Sequence, residues 1–371
     1  MNAPMAKAFR VFLITTLLGL GVVGLVVWKA VRYPDQASGF ATGAVEFDVP
    51  KGAGAQQVSE LLADKGLLER PAVFRLYAGQ RGVASRFKAG HYRIQAPATP
   101  RQLIEAMIKG SADELVAFTI PPGKTIIDVA DILDKAGITP KAELIAKAMD
   151  PAFVRSLEIV GPSLEGYLYP DTYKMRPHTP ADRALVPLVR RHHQVFEELR
   201  AAHAAGVAAL RKNLGFDDTK IVTLASIVEK ETGRADERPR IAQLYLNRLQ
   251  KPDFRPRYLA ADPTIIYGCV VAPLYAGGKA SPACAQWKGN IQYIHLRDTE
   301  NPYNTYNHEG LPPGPISNPG RAALEAVMKP DGSPYLYFVA KGDGTSYFST
   351  NVAEHNAAVV KYQRGGKPLN K

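Results

Sequence analysis

The longest apolar run comes first. Val11 to Trp28 (VFLITTLLGLGVVGLVVW) holds 18 residues without a charge; as a helix it would cover roughly 27 Å, the hydrocarbon thickness of a bilayer. Lys29 can snorkel, which carries the predicted span (11–31) on to Val31, and Trp28 and Tyr33 fall where an interfacial aromatic belt would lie. The run exceeds a signal-peptide core and no A-x-A site follows it, so an anchor is expected rather than a cleaved leader, with residues 1–10 inside. Pro34 to Ala44 (PDQASGFATGA) is small, polar and Gly-containing, and predicts a tether within a 32–44 linker.

Two matching stretches follow, VEFDVPKGAGAQQVSELLADKGLL from Val45 and VAFTIPPGKTIIDVADILDKAGI from Val116. A constant offset of 71 aligns Phe47 with Phe118, Pro50 with Pro121, Val58 with Val129 and Gly66 with Gly137. Each predicts a short alternating strand, a Pro/Gly turn, an amphipathic helix and a glycine stop. Between them lie a helix after Pro71, a strand at Gly90–Ile94 and a helix from Pro100 to Lys109. Residues 45–140 are therefore expected to form a small α/β module of duplicated units, either a grip for an extended ligand or a spacer.

From 141 onward the periodicity is mainly helical. Ala181 to Leu214 gathers Arg190, Arg191, His192 and His193, expected on a solvated helix face. In TKIVTLASIVEKETG (219–233), Ile221, Leu224, Ala225 and Val228 predict one apolar helix face, with Gly233 as the stop. Glu229 falls at one edge of that face, beside Val222 and Ala225. Glu231 falls at the other, roughly 160° away, beside Leu224 and Ile227. A carboxyl lodged against aliphatic side chains is expected to titrate high, because desolvation disfavours its charge; a general acid at neutral pH needs that property. The helical wheel does not choose between the two glutamates. Further on, Ala261–Thr264 is a polar turn before an apolar run, and Asn301 to Gly320 (NPYNTYNHEGLPPGPISNPG) predicts a rigid loop, either a purely structural turn-rich one or, because Tyr and Asn side chains stack on and hydrogen-bond to sugars, a wall of a glycan cleft. Tyr335 to Phe348 predicts a hairpin around Asp343-Gly344, and the tail from Lys361, with 363–371 beyond the last domain, is basic and frayed.

Composition narrows the class. With 46% hydrophobic and 22% charged residues over 371 positions, the chain is globular and long enough for more than one core. The net charge is +11; Lys7, Arg10, Lys29 and Arg32 against Asp35 assign +3 to the first 40 residues and +8 to the rest, which favours an anionic partner without naming one. No nucleic-acid motif accompanies the charge, so nucleic acid is not expected. Cys269 and Cys284 can pair, closing a 16-residue loop that contributes about 3 kcal/mol, or remain two thiols. No CxxC or HExxH spacing is present and no metal is expected.

Six ordered motifs together resemble one family. SIVEKET (Ser226–Thr232), ADPT with IIYG (Ala261–Gly268), YNTY (Tyr303–Tyr306), GLPPGPISNPG (Gly310–Gly320), LEGYLYPDTY (Leu164–Tyr173), and YLYFVA with EHN (Glu354–Asn356) are similar to the endolytic murein transglycosylase (YceG-like) family. The resemblance implies an α+β protein of the bacterial inner membrane: a single transmembrane helix, a periplasmic LysM-like module (45–140) and a mixed α+β catalytic domain (141–362). It implies a lyase, without cofactor, that cuts nascent peptidoglycan between N-acetylmuramic acid and N-acetylglucosamine and leaves 1,6-anhydro ends. Peptidoglycan synthases of the elongation or division machinery are the implied partners. The family's catalytic glutamate is the first of the EKE pair, here Glu229. Ser226, Asn304 and Tyr306 are candidates for the polar shell around it, Glu165 for a structural or substrate-orienting role, and Asp262 and Asn318 for further substrate contacts. The stretch Val270–Gln292 is longer than the family pattern.

One carboxyl suffices for such a lyase. It protonates the bridging oxygen, an oxocarbenium-like sugar develops, and the resulting carboxylate takes the proton from that sugar's own C6 hydroxyl as the anhydro ring closes. The tethered nucleophile needs no activated water. Two other readings stay open: a muramidase with Asp262 or Glu231 as second carboxylate, and a membrane-tethered glycan-binding scaffold without activity.

Overall fold

The computed structural model of the chain describes residues 16–17, 20–25, 27–110, 115–274 and 279–365, and divides into two compact units, Met1–Glu114 and Leu115–Lys371. The expected cytoplasmic segment (1–10), much of the apolar run (11–15, 18, 19 and 26) and the end of the tail (366–371) lie outside the described residues. Among the described residues no helix is long and apolar enough to cross a membrane; those between 16 and 32 are helical.

In the first unit β1 (Gly43–Val49) pairs antiparallel with β2 (Gly90–Ala96), and α1 (Ala55–Asp64), α2 (Pro71–Gln80) and α3 (Pro100–Lys109) supply the remaining core. The alternation of β1 turns Phe47 and Val49 inward with Val58, Leu62, Phe74, Leu103 and Met107. Phe47 faces Tyr92 in register, and their rings stack with centroids 5.7 Å apart. Pro100 opens α3, and Thr99 and Gln102 close a reciprocal capping box. The expected tether is more ordered than its composition suggests. Arg101 grips the Asp35 carboxylate through Nε (2.7 Å) and Nη2 (3.1 Å), and Ala41 donates its backbone N–H to the Gly66 carbonyl. Gly39 allows this contact, because a Cβ there would stand 2.2 Å from the Gly66 oxygen.

The second unit opens with the second copy of the repeated pattern: β3 (Val116–Thr119), a Pro/Gly turn, and α4 (Ile126–Lys135) with a Thr125–Asp128 capping box. Strand, turn and helix recur as the offset predicts. Each copy packs into the core of its own unit, which divides the 45–140 stretch at 114. β3 pairs antiparallel with β4 (Thr172–Met175), which follows α5 (Lys141–Ala148) and α6 (Pro151–Ser156). Then come α7 (Ala181–Ala202), α8 (Ala204–Leu214), α9 (Asp218–Glu231), α10 (Arg238–Gln250), α11 (Asp262–Val270), α12 (Tyr293–Leu296) and α13 (Arg321–Met328). The antiparallel hairpin β5 (Tyr337–Ala340) and β6 (Ser346–Ser349) and the helix α14 (Val352–Gln363) finish a mixed α+β architecture. The tail from Lys361 thus begins inside α14.

Two helices differ from their sequence reading. α9 is not one-faced: every residue from Ile221 to Val228 is at most 2% exposed, and the helix packs against α10, α11 and α13. Its polar positions are neutralised locally, because the Thr223 hydroxyl donates to the Thr219 carbonyl (2.8 Å) and the Ser226 hydroxyl to that of Thr223 (2.7 Å). On α7, Arg190 is exposed and Arg191 pairs with Asp171, but His192 points into the core between Tyr167 and Phe196. Burial pulls its pKa down to about 3, so it contributes no positive charge. α8 meets α13 closely at Gly206, where a Cβ would fall 1.9 Å from the Met328 carbonyl oxygen.

Candidate active site

α9 ends at Glu231; Thr232 leaves it in an extended conformation (φ −145°), so both glutamates of the EKE sequence sit in the final turn. α10 packs alongside and supplies a partner to each. Arg238 Nη2 lies 2.8 Å from Glu229 Oε1, and the Gly320 backbone N–H donates to Oε2 at 3.0 Å. The Glu229 side chain is only 5% exposed, and its carboxylate is held by a guanidinium and a backbone amide. The bond from Gly320 ties the loop that carries it to this carboxylate.

Glu231 has the desolvated surroundings anticipated from the wheel. Tyr245 Oη donates to its Oε1 at 2.7 Å. Burial raises its pKa to about 7; the Tyr245 hydrogen bond and Arg248 oppose the rise, and the negative charge of Asp262 adds to it. Arg248 is itself 8% exposed and enclosed by the rings of Tyr245, Phe254 and Tyr337, with its Cζ 5.5–5.8 Å from each centroid. Its Nε donates to the Leu336 carbonyl at 2.7 Å and its Nη1 to that of Leu259, so the cation is locked between the hairpin and the approach to α11. His355 stacks on Tyr337, 5.3 Å between centroids.

Asp262, exposed at the first turn of α11, accepts a 2.6 Å hydrogen bond from Tyr306 Oη. Ala261–Thr264, expected as a turn, instead starts the helix at Asp262, with Pro263 in its first turn. Thr264 and Thr305 join through their hydroxyls (2.9 Å), and Thr305 Oγ1 accepts from the Ala261 N–H (3.0 Å), which clamps the YNTY segment onto α11. Tyr306 packs beside the disulfide that joins Cys269 and Cys284, together with Ile265, Trp287 and Ile291. The Val270–Gln292 insertion is therefore stapled at its base directly behind Tyr306.

The structure brings Asp262 and Tyr306 together with Glu231 and turns the other polar candidates inward. Ser226 is fully buried and accepts the Ile316 N–H at 2.9 Å. Asn304 is fully buried and donates to the carbonyls of His295 (3.0 Å) and Asp298 (2.8 Å). Asn318 accepts from the Leu168 N–H (2.8 Å) and donates to the Lys124 carbonyl (2.7 Å) and to Glu165 (3.3 Å). Glu165, 2% exposed, accepts from the Ile126 N–H at the start of α4 and from Tyr267 Oη (3.3 Å). Together these four hold the loops that frame the last turn of α9. Tyr245, Arg248 and Arg238 were missed in the sequence. Their signal is a tyrosine and an arginine three residues apart, on one side of α10, inside an otherwise apolar pattern.

The second unit, of the mixed α+β class, thus sets a buried carboxyl whose titration burial raises near an exposed one, Asp262. The chain belongs to the YceG-like family, whose model matches residues 47–361. It is 28% identical over 333 residues to the endolytic murein transglycosylase of Bacillus subtilis (strain 168), covering 86% of this chain and 84% of that protein. It is 27% identical over 348 residues to the endolytic murein transglycosylase of Streptococcus pneumoniae serotype 2, of which it spans 58%. Among solved structures, a yceG-like protein from Listeria monocytogenes superposes with a TM-score of 0.52 at 29% identity, over 85% of this chain and 99% of that one.

Proposed function

We infer that this chain is an endolytic murein transglycosylase, a lyase that cuts within peptidoglycan strands between N-acetylmuramic acid and N-acetylglucosamine and leaves 1,6-anhydro ends. Family membership and the names of the two relatives support the activity. The observation that carries the mechanism is the placement of the Glu231 carboxyl, buried, bonded by Tyr245 Oη at 2.7 Å and near enough to Asp262 for that negative charge to add to burial in raising its pKa. Glu231 is the proton donor in this reading. It protonates the bridging oxygen, the Asp262 carboxylate stabilises the positive charge that develops on the muramoyl ring, and Glu231 then takes the proton from the C6 hydroxyl as the ring closes. Glu229, the residue indicated by family resemblance, acts in this reading through its ion pair with Arg238 and its grip on Gly320.

Asp262 also keeps the hydrolytic reading concrete, since a second carboxylate could activate water. Product mass separates the two, because anhydro ends are about 18 Da lighter than reducing ends, the mass of the water a hydrolase adds. The deciding experiment is mass spectrometry of muropeptides released by the full chain, by Glu231→Gln and by Glu229→Gln. The expected result is anhydro products from the wild type, a rate loss of about 10²–10⁴-fold in Glu231→Gln, and residual turnover in Glu229→Gln. Residual turnover in Glu231→Gln with none in Glu229→Gln returns the acid role to Glu229, and release of nothing by the wild type favours the scaffold reading. The placement that goes with this function is an inner-membrane anchor over 11–31, the catalytic unit in the periplasm, and a LysM-like grip on glycan in the first unit. The uncharged run at Val11–Trp28 supports the anchor.

A further inference from the structure

A cavity of about 650 Å³ lies at the opposite end of α9 from the proposed acid, between the α8–α9 turn and the segments 255–257 and 309–313. Its charged lining is Lys220, Arg255 and Arg257 against Asp217 and Glu309, over an apolar floor that includes Phe216 and Leu249. The anions are partly engaged: Asp217 caps α9 through the Lys220 N–H, and Glu309 stands 4.0 Å from Arg255. Arg257, a lining residue, keeps its Nε shut away from solvent and without a hydrogen-bond partner.

The cavity is tied to the reacting end by geometry. Lys220 and Glu231 are eleven residues apart on one helix, a spacing of roughly 16 Å along its axis. Because the helix face between them is buried, a ligand joining the two ends would pass over the neighbouring segments rather than along α9. The connecting chain runs the same way, since Arg255 and Arg257 lie on the segment that leads to Asp262, and Glu309 to Pro313 follow Tyr306. A five-residue peptide in extended form covers roughly 17 Å. On the reading above, the substrate's muramic acid carries such a peptide, ending in a carboxylate.

We propose that this cavity receives the carboxylate end of the substrate's peptide stem, with Arg257 and Arg255 pairing with it and the apolar floor taking the neighbouring side chains. This rests on peptidoglycan being the substrate, and the two arms of the test separate the claims. In the first arm a synthetic pentapeptide stem, with a free or an amidated C-terminus, is titrated into the full chain and into Arg257→Gln. The free acid is expected to bind about tenfold more tightly than the amide and to lose about that factor in Arg257→Gln. Glu309→Gln, which removes a competing carboxylate, is expected to tighten binding. Equal affinity for acid and amide, or no binding of either, overturns the proposal. In the second arm the wild type is offered strands with intact stems and strands stripped by an amidase. A lower KM for intact strands, with the intact-to-stripped ratio of kcat/KM falling toward one in Arg257→Gln, supports the pocket. Cleavage without discrimination overturns the pocket and leaves the function standing; acid-selective binding without cleavage of either strand overturns the function and leaves the pocket standing.

Discussion

At the scale of single residues, the last turn of α9 separates two glutamates that helix periodicity alone presents as equals. The wheel sets them at opposite edges of the apolar stripe, and what distinguishes them comes from α10: Arg238 meets Glu229 and Tyr245 meets Glu231. That distinction was illegible because the pairing of helices is a tertiary event. Glu231 has a pH signature. Its folded pKa of about 7 lies above its ordinary value of 4.5, so the folded chain holds this proton more tightly than the unfolded chain does. The associated stability is complete below about 4.5 and is lost as the pH rises through about 7, on the order of 3 kcal/mol. Denaturant unfolding of Glu231→Gln should accordingly show a flatter profile across that interval and gain on the wild type above pH 7. In the wild type, kcat/KM should fall along an alkaline limb near pH 7, where the donor loses its proton. Tyr245→Phe removes a hydrogen bond that favours the charged carboxylate and should move that limb to higher pH; an unchanged limb would detach the pH profile from Glu231.

At the scale of elements, sequence periodicity was informative wherever a segment's partner is local. The strand–turn–helix repeat, the Asp343-Gly344 hairpin and the irregular course from Asn301 to Gly320 are all legible, because strand alternation, turn chemistry and proline leave marks on the chain itself. α9 was misread as amphipathic for a specific reason. Thr223 and Ser226 register as polar in any pattern, yet each returns its hydroxyl to the preceding turn and is buried. His192 was misread in the same way, as a solvated charge. Ser226 has a second bond, to the Ile316 N–H, and Ser226→Ala leaves that buried donor unmet, a cost of about 1–3 kcal/mol in urea unfolding. Gly206→Ala should cost a comparable amount or more by pushing α8 from the Met328 carbonyl. A variant at Gly206 as stable as the wild type would mean that α8 and α13 can move apart freely.

At the scale of the molecule, the described chain is two units, each with its own core, and the proposed chemistry lies wholly in the second. The two cysteines, ambiguous in the sequence, are joined, and the bridge is packed against the tyrosine that bonds Asp262. Replacing both with alanine should lower stability by about 3 kcal/mol, the chain-entropy value for a loop of this length. It should also weaken turnover through the loosened Tyr306, and full activity of the double variant would show that the insertion does not support the site. The enclosure of α9 has a further consequence. A helix wedged on every side cannot be reshaped one residue at a time, since each exchange disturbs several neighbours at once. Diversification of cleavage preference, in nature or at the bench, is thereby channelled into the two surface strips at 251–258 and 306–311, while the post that bears the acid stays fixed.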